Sequence, residues 1–456
     1  VSAGTLEVLE PATEAVLEAV PRADAGDVDA AVAAAKAAYP AWRAREPRDR
    51  ARVLRRVADA VADHREELAR IEARNAGKPI GDARGEMDMV AETLGYYAAA
   101  PERLLGESIP VSGGQAWTVR EPLGVVGLIV PWNFPLVIAG WKLGPALAAG
   151  NTVVLKPAEL TPLSALRFAQ IAVEAGLPEG VVNVVVGPGS TCGQRLVEHP
   201  DVAKIAFTGS TEVGRSIAAG AAATIKRVTL ELGGKSPNIV FADADLEAAA
   251  AAAPAAVFGN AGQDCCARSR ILVQAGALDE FMGHMERAVA GIRVGDPLDE
   301  RTEMGPLISA GQRESVASYL NDGETVAFRG DAPEGPGFWF APTVLCPVAP
   351  DARAAVEEIF GPVAVVIPFE DEQEAIRLAN DTIYGLSGSI WSGDGGRALR
   401  VARAVEAGVL SINSNTSVRV ATPFGGFKQS GYGRELGPHA LDAYTEVKSI
   451  YYATSG

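Results

Sequence analysis

The sequence predicts an α/β protein built on parallel sheets, and three observations predict it. Between Asn151 and Gly234, β-rich apolar runs alternate with amphipathic helical runs: "NTVVLKP", "PLSALRFAQIAVEAG", "VVNVVVG", "STCGQRLVEH", "VAKIAFTG", "EVGRSIAAGAAA" and "RVTLELGG". Parallel neighbours need a crossover connection, so strand, helix and strand at this spacing read as a parallel sheet with helices on its faces, a Rossmann-type sheet. The alternation restarts beyond Gly234 with "SPNIVF", an alanine-rich helix, "RILVQ", "VAVVIPF" and "GSIWS". Finally, 456 residues with 48% hydrophobic and 21% charged side chains exceed one core and suit a globular chain of two or three domains.

Along the chain, "DVDAAVAAAKAAYPAW" has an aspartate at a helix start followed by small apolar residues at helical spacing. The next run places Leu54, Val57, Val61 and Leu68 on one stripe and ends near Gly77, so the first hundred residues read as mostly helical. "AWTVREPLGVVGLIV" is β-rich on both sides of Glu121 and Pro122, which fits a hairpin or a strand leaving one sheet for another. After the two alternating blocks, "DLEAAAAAAPAAV" reads as a helix that Pro254 breaks, and "RGDAPEGPGFWFAPTV" as a surface loop.

Composition excludes several classes of function. A net charge of -16 disfavours nucleic acid as a partner, since such binding draws on clustered Lys and Arg. Cysteines at 192, 265, 266 and 346 show no framework spacing, and four scattered histidines offer neither a metal cage nor a histidine-based triad. No metal is expected. The N-terminal stretch lacks a basic segment followed by an apolar core, and the run from Gly124 to Trp141 is interrupted by Pro131, Asn133 and Pro135. A cytoplasmic protein without a membrane partner is therefore expected.

Glycines follow two strands where a phosphate could be cradled: Gly187, Gly189 and Gly193 in "VVVGPGSTCG", and Gly209 and Gly214 in "FTGSTEVG", where Ser210 and Thr211 add hydroxyls. Each pair also suits an ordinary turn. Cys265 in "GQDC" is a second candidate, but a free thiol with a pKa of about 8.5 is mostly protonated at neutral pH and needs help to act as a nucleophile. Glu231 in "TLELGGKSP" is a candidate base, and Asn133 in "PWNFP" a candidate oxyanion donor. The plain alternatives are a small core cysteine, a surface carboxylate and a turn-forming asparagine.

Taken together, "PWNFP", "GNTVVLKPAE", "FTGSTEVGR", "LELGGKSPNIV", "GQDC", "EEIFGP" and "PFGGFKQSGYGRELG" resemble, in their order, the NAD(P)-dependent aldehyde dehydrogenase superfamily, over essentially the whole chain. The resemblance implies Cys265 as nucleophile, with Asn133 and the Cys265 backbone N–H holding the oxyanion. Glu231 would be the base for deacylation, and Lys142 and Glu435 would relay its proton. Hydrolysis to a free acid is expected rather than transfer to CoA, because the base position is a glutamate; a non-catalytic member would tend to lack Cys265 or Glu231. Cys266 is read as packing. NAD is the expected cofactor, held by Trp132, Lys156, Glu159, Gly189, Gly209, Ser210, Glu358 and Phe360, and the Glu159 carboxylate argues against NADP by repelling a 2'-phosphate.

The same resemblance implies an NAD-binding domain over 1–103 and 123–233, a catalytic domain over 234–436, and a β oligomerisation arm over 104–122 and 437–456. That arm would pair with a partner subunit in a homodimer or homotetramer. Arg227, Arg434 and Glu446 would form a charge cluster at the interface, or be ordinary surface charges. Phe134, Ile138, Trp141 and Asp264 are the expected substrate contacts, with 412–423 also near the tunnel. Aromatic walls suit apolar aldehydes and also cationic ones, and Asp264 with a short likeness to ω-aminoaldehyde and betaine aldehyde enzymes favours an ω-aminoaldehyde over a broad aliphatic or aromatic range.

Overall fold

The computed structural model describes residues 4–320 and 322–454, so the ends of the 1–103 and 437–456 stretches lie outside the described residues. The chain opens with an antiparallel hairpin, Thr5–Leu9 with Val16–Pro21, not with a helix. Its period-two pattern buries Val8 and Val20 and leaves the glutamates outside. The first long helix, Ala25–Ala44, begins two residues before Asp27, because Asp24 is the cap: its carboxylate accepts from the Gly26 and Asp27 N–H groups, and Asp27 returns the bond to the Asp24 N–H. The predicted stripe is split at His64 into helices Pro47–Asp63 and Arg65–Ala76, the second ending on Gly77 at φ 78°.

The first large sheet has six strands in the order Val182–Val184, Thr152–Lys156, Val125–Ile129, Val202–Thr208, Arg227–Glu231 and Gly431–Tyr432. All neighbours are parallel except the last pair. The chain builds outward from Val125–Ile129 in one direction, then returns to lay Val202–Thr208 on its other side. That reversal makes a topological switch point between these two strands, and the crevice beyond their carboxyl ends is where such sheets bind ligands. Helix Pro135–Ala149 is buried at every position, Lys142 included, which explains why its sequence is apolar all round.

The second sheet has seven strands in the order Val326–Arg329, Thr343–Leu345, Val363–Phe369, Arg270–Gln274, Pro237–Val240, Ser387–Trp391 and Val409–Ile412, parallel but for the first pair. Helix Leu246–Phe258 packs in its core and runs through Pro254 without breaking. Burial of Ala249, Ala250, Ala253, Pro254 and Val257 outweighs the missing N–H. A third sheet joins Ser108–Ile109, Gly114–Pro122 and Thr445–Ala453, antiparallel throughout. Of the two readings open for Glu121 and Pro122, the second holds: strand Gly114–Pro122 leaves this sheet and Val125–Ile129 enters the first.

Candidate active site

Glu231 ends strand Arg227–Glu231 and is followed by Leu232, Gly233 and Gly234. Gly234 has no room for a side chain, since a Cβ there would fall 2.4 Å from the Cys265 carbonyl oxygen, and a Cβ at Gly233 would fall 2.2 Å from Glu358 Oε2 and displace that carboxylate. Through these two contacts the end of one sheet touches both the "EEIFGP" loop and the cysteine turn. The Gly234 N–H also donates to Glu358 Oε1 at 2.9 Å. Glu231 itself is 3% exposed, and neither carboxylate oxygen has a hydrogen-bond partner among the described residues. Burial, reinforced by the neighbouring Glu435 carboxylate, pushes its pKa well above the ordinary value, against the pull of Lys142 and Arg434.

The cysteine turn is built from strained backbone. Asn260, Ala261 and Gly262 follow one another at φ 51°, 54° and 69°, and a side chain at 262 would strike the Gly361 carbonyl. Hydrogen bonds hold this shape. Asn133 Nδ2 donates to the Gln263 carbonyl at 2.9 Å, Asn260 Nδ2 donates to the Asn133 carbonyl at 3.0 Å, and Gln263 Nε2 donates to the Asn260 carbonyl at 3.0 Å. The Ile308 N–H donates to Gln263 Oε1 at 2.8 Å. Cys265 follows, partly exposed, while Cys266 is buried. A hydrogen bond with Cys266, and then burial, hold the Cys265 thiol well above its ordinary pKa, so in the resting site it is neutral.

A cavity of about 430 Å³ is lined by Cys265, Glu231, Glu435, Phe134, Ile138 and Trp141. Its remaining walls include Met89, Val418 and Phe424, with the Trp141 and Phe424 rings 5.0 Å apart. Asn133, buried next to Phe134 in sequence, is not itself part of the lining, and one of its amide hydrogens is on the Gln263 carbonyl. Lys142 lies outside the lining, and its ammonium pairs with Glu435. Asp264 does line the cavity, but its Oδ1 accepts the Cys266 N–H at 2.8 Å and burial raises its pKa, so it is a weaker cation anchor than its sequence position suggests. Asp82 and Glu86, which the sequence reading passed over, also line it.

The residues expected around a dinucleotide lie at the carboxyl ends of the first sheet's strands or just beyond them: Lys156 ends its strand, and Trp132, Gly189, Gly209 and Ser210 follow theirs. Lys156 is 4% exposed, with the Pro157 carbonyl at 3.1 Å and no carboxylate within ion-pair distance among the described residues. A buried lysine so poorly paired, packed against Gly193 of the glycine turn, fits a polar, phosphate-bearing ligand. Trp132 meets the Phe360 ring edge-on at 5.2 Å, and Glu159 is partly exposed. Other glycines serve packing instead: a side chain at Gly187 would strike the Ala23 carbonyl, and one at Gly214 would strike Leu232. Ser210 Oγ caps its own helix by accepting from the Val213 N–H, and the Thr211 hydroxyl donates to the Gln429 carbonyl.

Residues 1–450 match the model of the Aldehyde dehydrogenase family. The chain belongs to this family. The NADP/NAD-dependent aldehyde dehydrogenase PuuC of Escherichia coli is 44% identical over 455 residues, spanning 98% of this chain and 92% of that protein. The betaine aldehyde dehydrogenase of Bacillus subtilis is 41% identical over 459 residues, spanning 98% and 94%. The solved NAD+ complex of an aldehyde dehydrogenase from Bacillus cereus superposes with a TM-score of 0.97 at 44% identity, over 99% of this chain and 94% of that one.

Within this aldehyde dehydrogenase, Cys265, Glu231 and Glu435 meet in one cavity with the aromatic walls. Of the residues expected in a charge cluster at the interface, Arg227 pairs with Glu446 within the chain, while Arg434 donates to the Gly426 and Gly433 carbonyls. Sequence reasoning missed Lys78. Its ammonium, 1% exposed, donates to Glu86 at 2.6 and 2.7 Å and to the Asn133 carbonyl at 2.9 Å, and lies 4.5 Å from the centre of the Phe134 ring. The signal was the lysine in "NAGKP", directly after a helix end and flanked by apolar residues. Because Lys78 grips the backbone of Asn133, Lys78→Met is expected to lower kcat by roughly tenfold, the loss of one charged hydrogen bond, with KM for cofactor little changed. Steady-state kinetics check this, and an unchanged kcat would sever Lys78 from the site.

Proposed function

We propose that the chain catalyses NAD-dependent oxidation of an aldehyde to a free carboxylic acid, with Cys265 as nucleophile and Glu231 as base. One observation carries the reading: the buried Glu231 carboxylate, both oxygens free of partners among the described residues, lines the same cavity as Cys265. In the first half-reaction the Cys265 thiol gives up its proton, through water, to Glu231. The sulfur then bonds to the carbonyl carbon, and the carbonyl oxygen takes the negative charge. The free N–H of Asn133 and the Cys265 backbone N–H stabilise that charge, the task for which such donors are worth about 3 kcal/mol each. When bound, NAD supplies the two-electron acceptor that carries the sulfur adduct to a thioester. In the second half-reaction Glu231, having first released to solvent the proton it took from Cys265, takes a proton from water as that water's oxygen bonds to the acyl carbon, and the carbon–sulfur bond breaks to restore the Cys265 thiolate.

NAD is favoured over NADP by Glu159 beside Lys156, and the Bacillus cereus relative was solved with NAD+. The remaining dinucleotide contacts would come from Trp132, Gly189, Gly209, Ser210, Glu358 and Phe360, around the switch-point crevice. We assign three parts to the chain, a cofactor domain over 1–103 and 123–233, a catalytic domain over 234–436 and an arm over 104–122 and 437–456. In the arm, Val447, Tyr451 and Tyr452 stand exposed on strand Thr445–Ala453, a surface suited to a second copy of the chain. Val447→Asp with Tyr451→Asp should reduce the mass seen by light scattering to a smaller assembly; an unchanged mass would place the contact elsewhere.

For the substrate we favour an ω-aminoaldehyde. Asp82 and Asp264 line the cavity beside the Lys78–Glu86 pair, and although burial raises the pKa of all three carboxyls, they leave an acidic side to a pocket whose Phe134 and Trp141 rings suit a cationic head. The apolar remainder of the lining favours, as a second reading, a broad aliphatic or aromatic range. Rates with 4-aminobutanal, betaine aldehyde, hexanal and benzaldehyde, followed by NADH absorbance, separate the two: preference of at least tenfold for the cationic pair is expected, and equal rates would remove the amine reading.

Glu231 tests the chemistry itself. A carboxylate whose pKa is raised is protonated, and so useless as a base, over a wider acidic range, and kcat should fall as pH drops from a higher pH than an ordinary carboxylate would give. Glu231→Gln should cut steady-state turnover by about a hundredfold or more and remove that limb. Turnover and pH profile left intact would refute the assigned role, and acyl-CoA as the main product in the presence of CoA would do the same.

A further inference from the structure

The two strands that meet at Glu231 have unlike faces. Cross-strand partners Thr208 and Glu231, Ala206 and Thr229, and Lys204 and Arg227 share one face, while Ile205, Phe207, Val228 and Leu230 on the other belong to an apolar core. Four polar side chains on the first face, Lys204, Thr208, Thr229 and Glu231, are buried. Helix Pro135–Ala149 covers part of this face and brings Lys142, paired with Glu435; Tyr444 covers another part, its ring 4.9 Å from Lys204 Nζ.

This strip gathers buried atoms without partners among the described residues: both Glu231 carboxylate oxygens, Thr208 Oγ1, Glu435 Oε2 and the Tyr444 hydroxyl. Buried polar atoms left open in this way are the usual seats of ordered water. One end of the strip, Thr208, Glu231 and Glu435, lines the aldehyde cavity. The other end opens on a second cavity of about 470 Å³, lined by Lys204, Thr229, Arg227, Arg120, Asp442 and Glu446. Lys204, 1% exposed, stands at that junction, donating to Thr229 Oγ1 at 3.0 Å. No carboxylate lies within ion-pair distance of it among the described residues.

We infer that Lys204 is the far end of a proton outlet that leads from Glu231, past the Lys142–Glu435 pair and through bridging water, into this second cavity. The inference rests on Glu231 being the deacylation base. After water has given its proton to Glu231 and its oxygen to the acyl carbon, the glutamic acid must lose that proton before the next turnover. The proton passes to the neutral Lys204 amine, which becomes an ammonium and releases it to solvent in the second cavity; no electrons move. Burial, together with the positive charges of Lys142 and Arg227 and against the pull of Glu435, holds the Lys204 pKa down to about 7, so the amine exchanges protons near neutrality.

The test uses the full-length enzyme saturated with NAD and a turned-over aldehyde. Lys204→Met removes the titrating group and Lys204→Arg keeps the charge but cannot release its proton. Both are expected to lower steady-state kcat by about tenfold while leaving the NADH burst of the first turnover and the aldehyde KM within about twofold, and added imidazole should restore kcat of Lys204→Met in proportion to its concentration. Should Lys204→Met not fold, Thr229→Val interrupts the same strip beside Lys204 and should behave alike. Unchanged kcat, or a burst and a kcat that fall together without rescue by imidazole, would overturn the outlet. Glu231→Gln run in parallel separates the two ideas: if it turns over normally the base assignment fails, whereas if it is inactive and the Lys204 variants are silent, only the outlet fails.

Discussion

The site depends on the closed set of hydrogen bonds among Asn133, Asn260 and Gln263. It ties a loop of the first sheet to the turn that carries Cys265 after the helix Leu246–Phe258 of the second. Three successive residues in left-handed conformations cost roughly 1–3 kcal/mol for each non-glycine, and would relax if they were not held. Each hydrogen bond of the set contributes about 1 kcal/mol in isolation, more where its partner is otherwise buried and unpaired. The strain and the bonds are of the same order, which is why the sulfur has a fixed place and not a range of them.

Around that fixed sulfur the structure buries more charge than a stable core needs. Lys78, Lys142, Lys204 and Lys235 are each 1% exposed or less, and Glu231 and Glu435 are 3%. Only some are paired, as Lys142 is with Glu435 and Lys78 with Glu86. Leaving charged groups dry is expensive, and the molecule answers by shifting proton affinities: Glu231 upward, Lys204 and Lys235 down to about 7. Groups that change charge near neutral pH are of little use to a scaffold and of much use to proton transfer.

Much of this was legible in the chain. The alternation of strand and helix located both parallel sheets, and the motifs located Cys265 and Glu231 in one cavity, because backbone periodicity and glycine-rich turns are local signals. The N-terminal hairpin was hard to see, because its strands are short, apolar Leu9 and Ala19 stand exposed beside buried Val8 and Val20, and the segment lies against a long helical run. Pro254 misled because helix propensity is a local quantity and the burial that overrides it is not. Lys78 and Glu86, eight residues apart, meet across the bend between a helix end at Gly77 and the helix that starts at Ile80, a closeness no periodicity announces. Arg434 bonds the carbonyl of its own neighbour Gly433 and, through a fold of the loop, that of Gly426.

The crowding at Gly233 and Gly234 has one more implication. Because the Gly234 backbone lies directly against the Cys265 carbonyl, at a position that admits no side chain, the span from carboxylate to sulfur is set largely by the path of the backbone. Met89, Val418 and Phe424, by contrast, shape the far wall through side chains alone. Such an arrangement lets mutation reshape which molecules enter while the reacting atoms keep their spacing, so diversification of selectivity and preservation of reactivity can proceed on separate parts of one pocket.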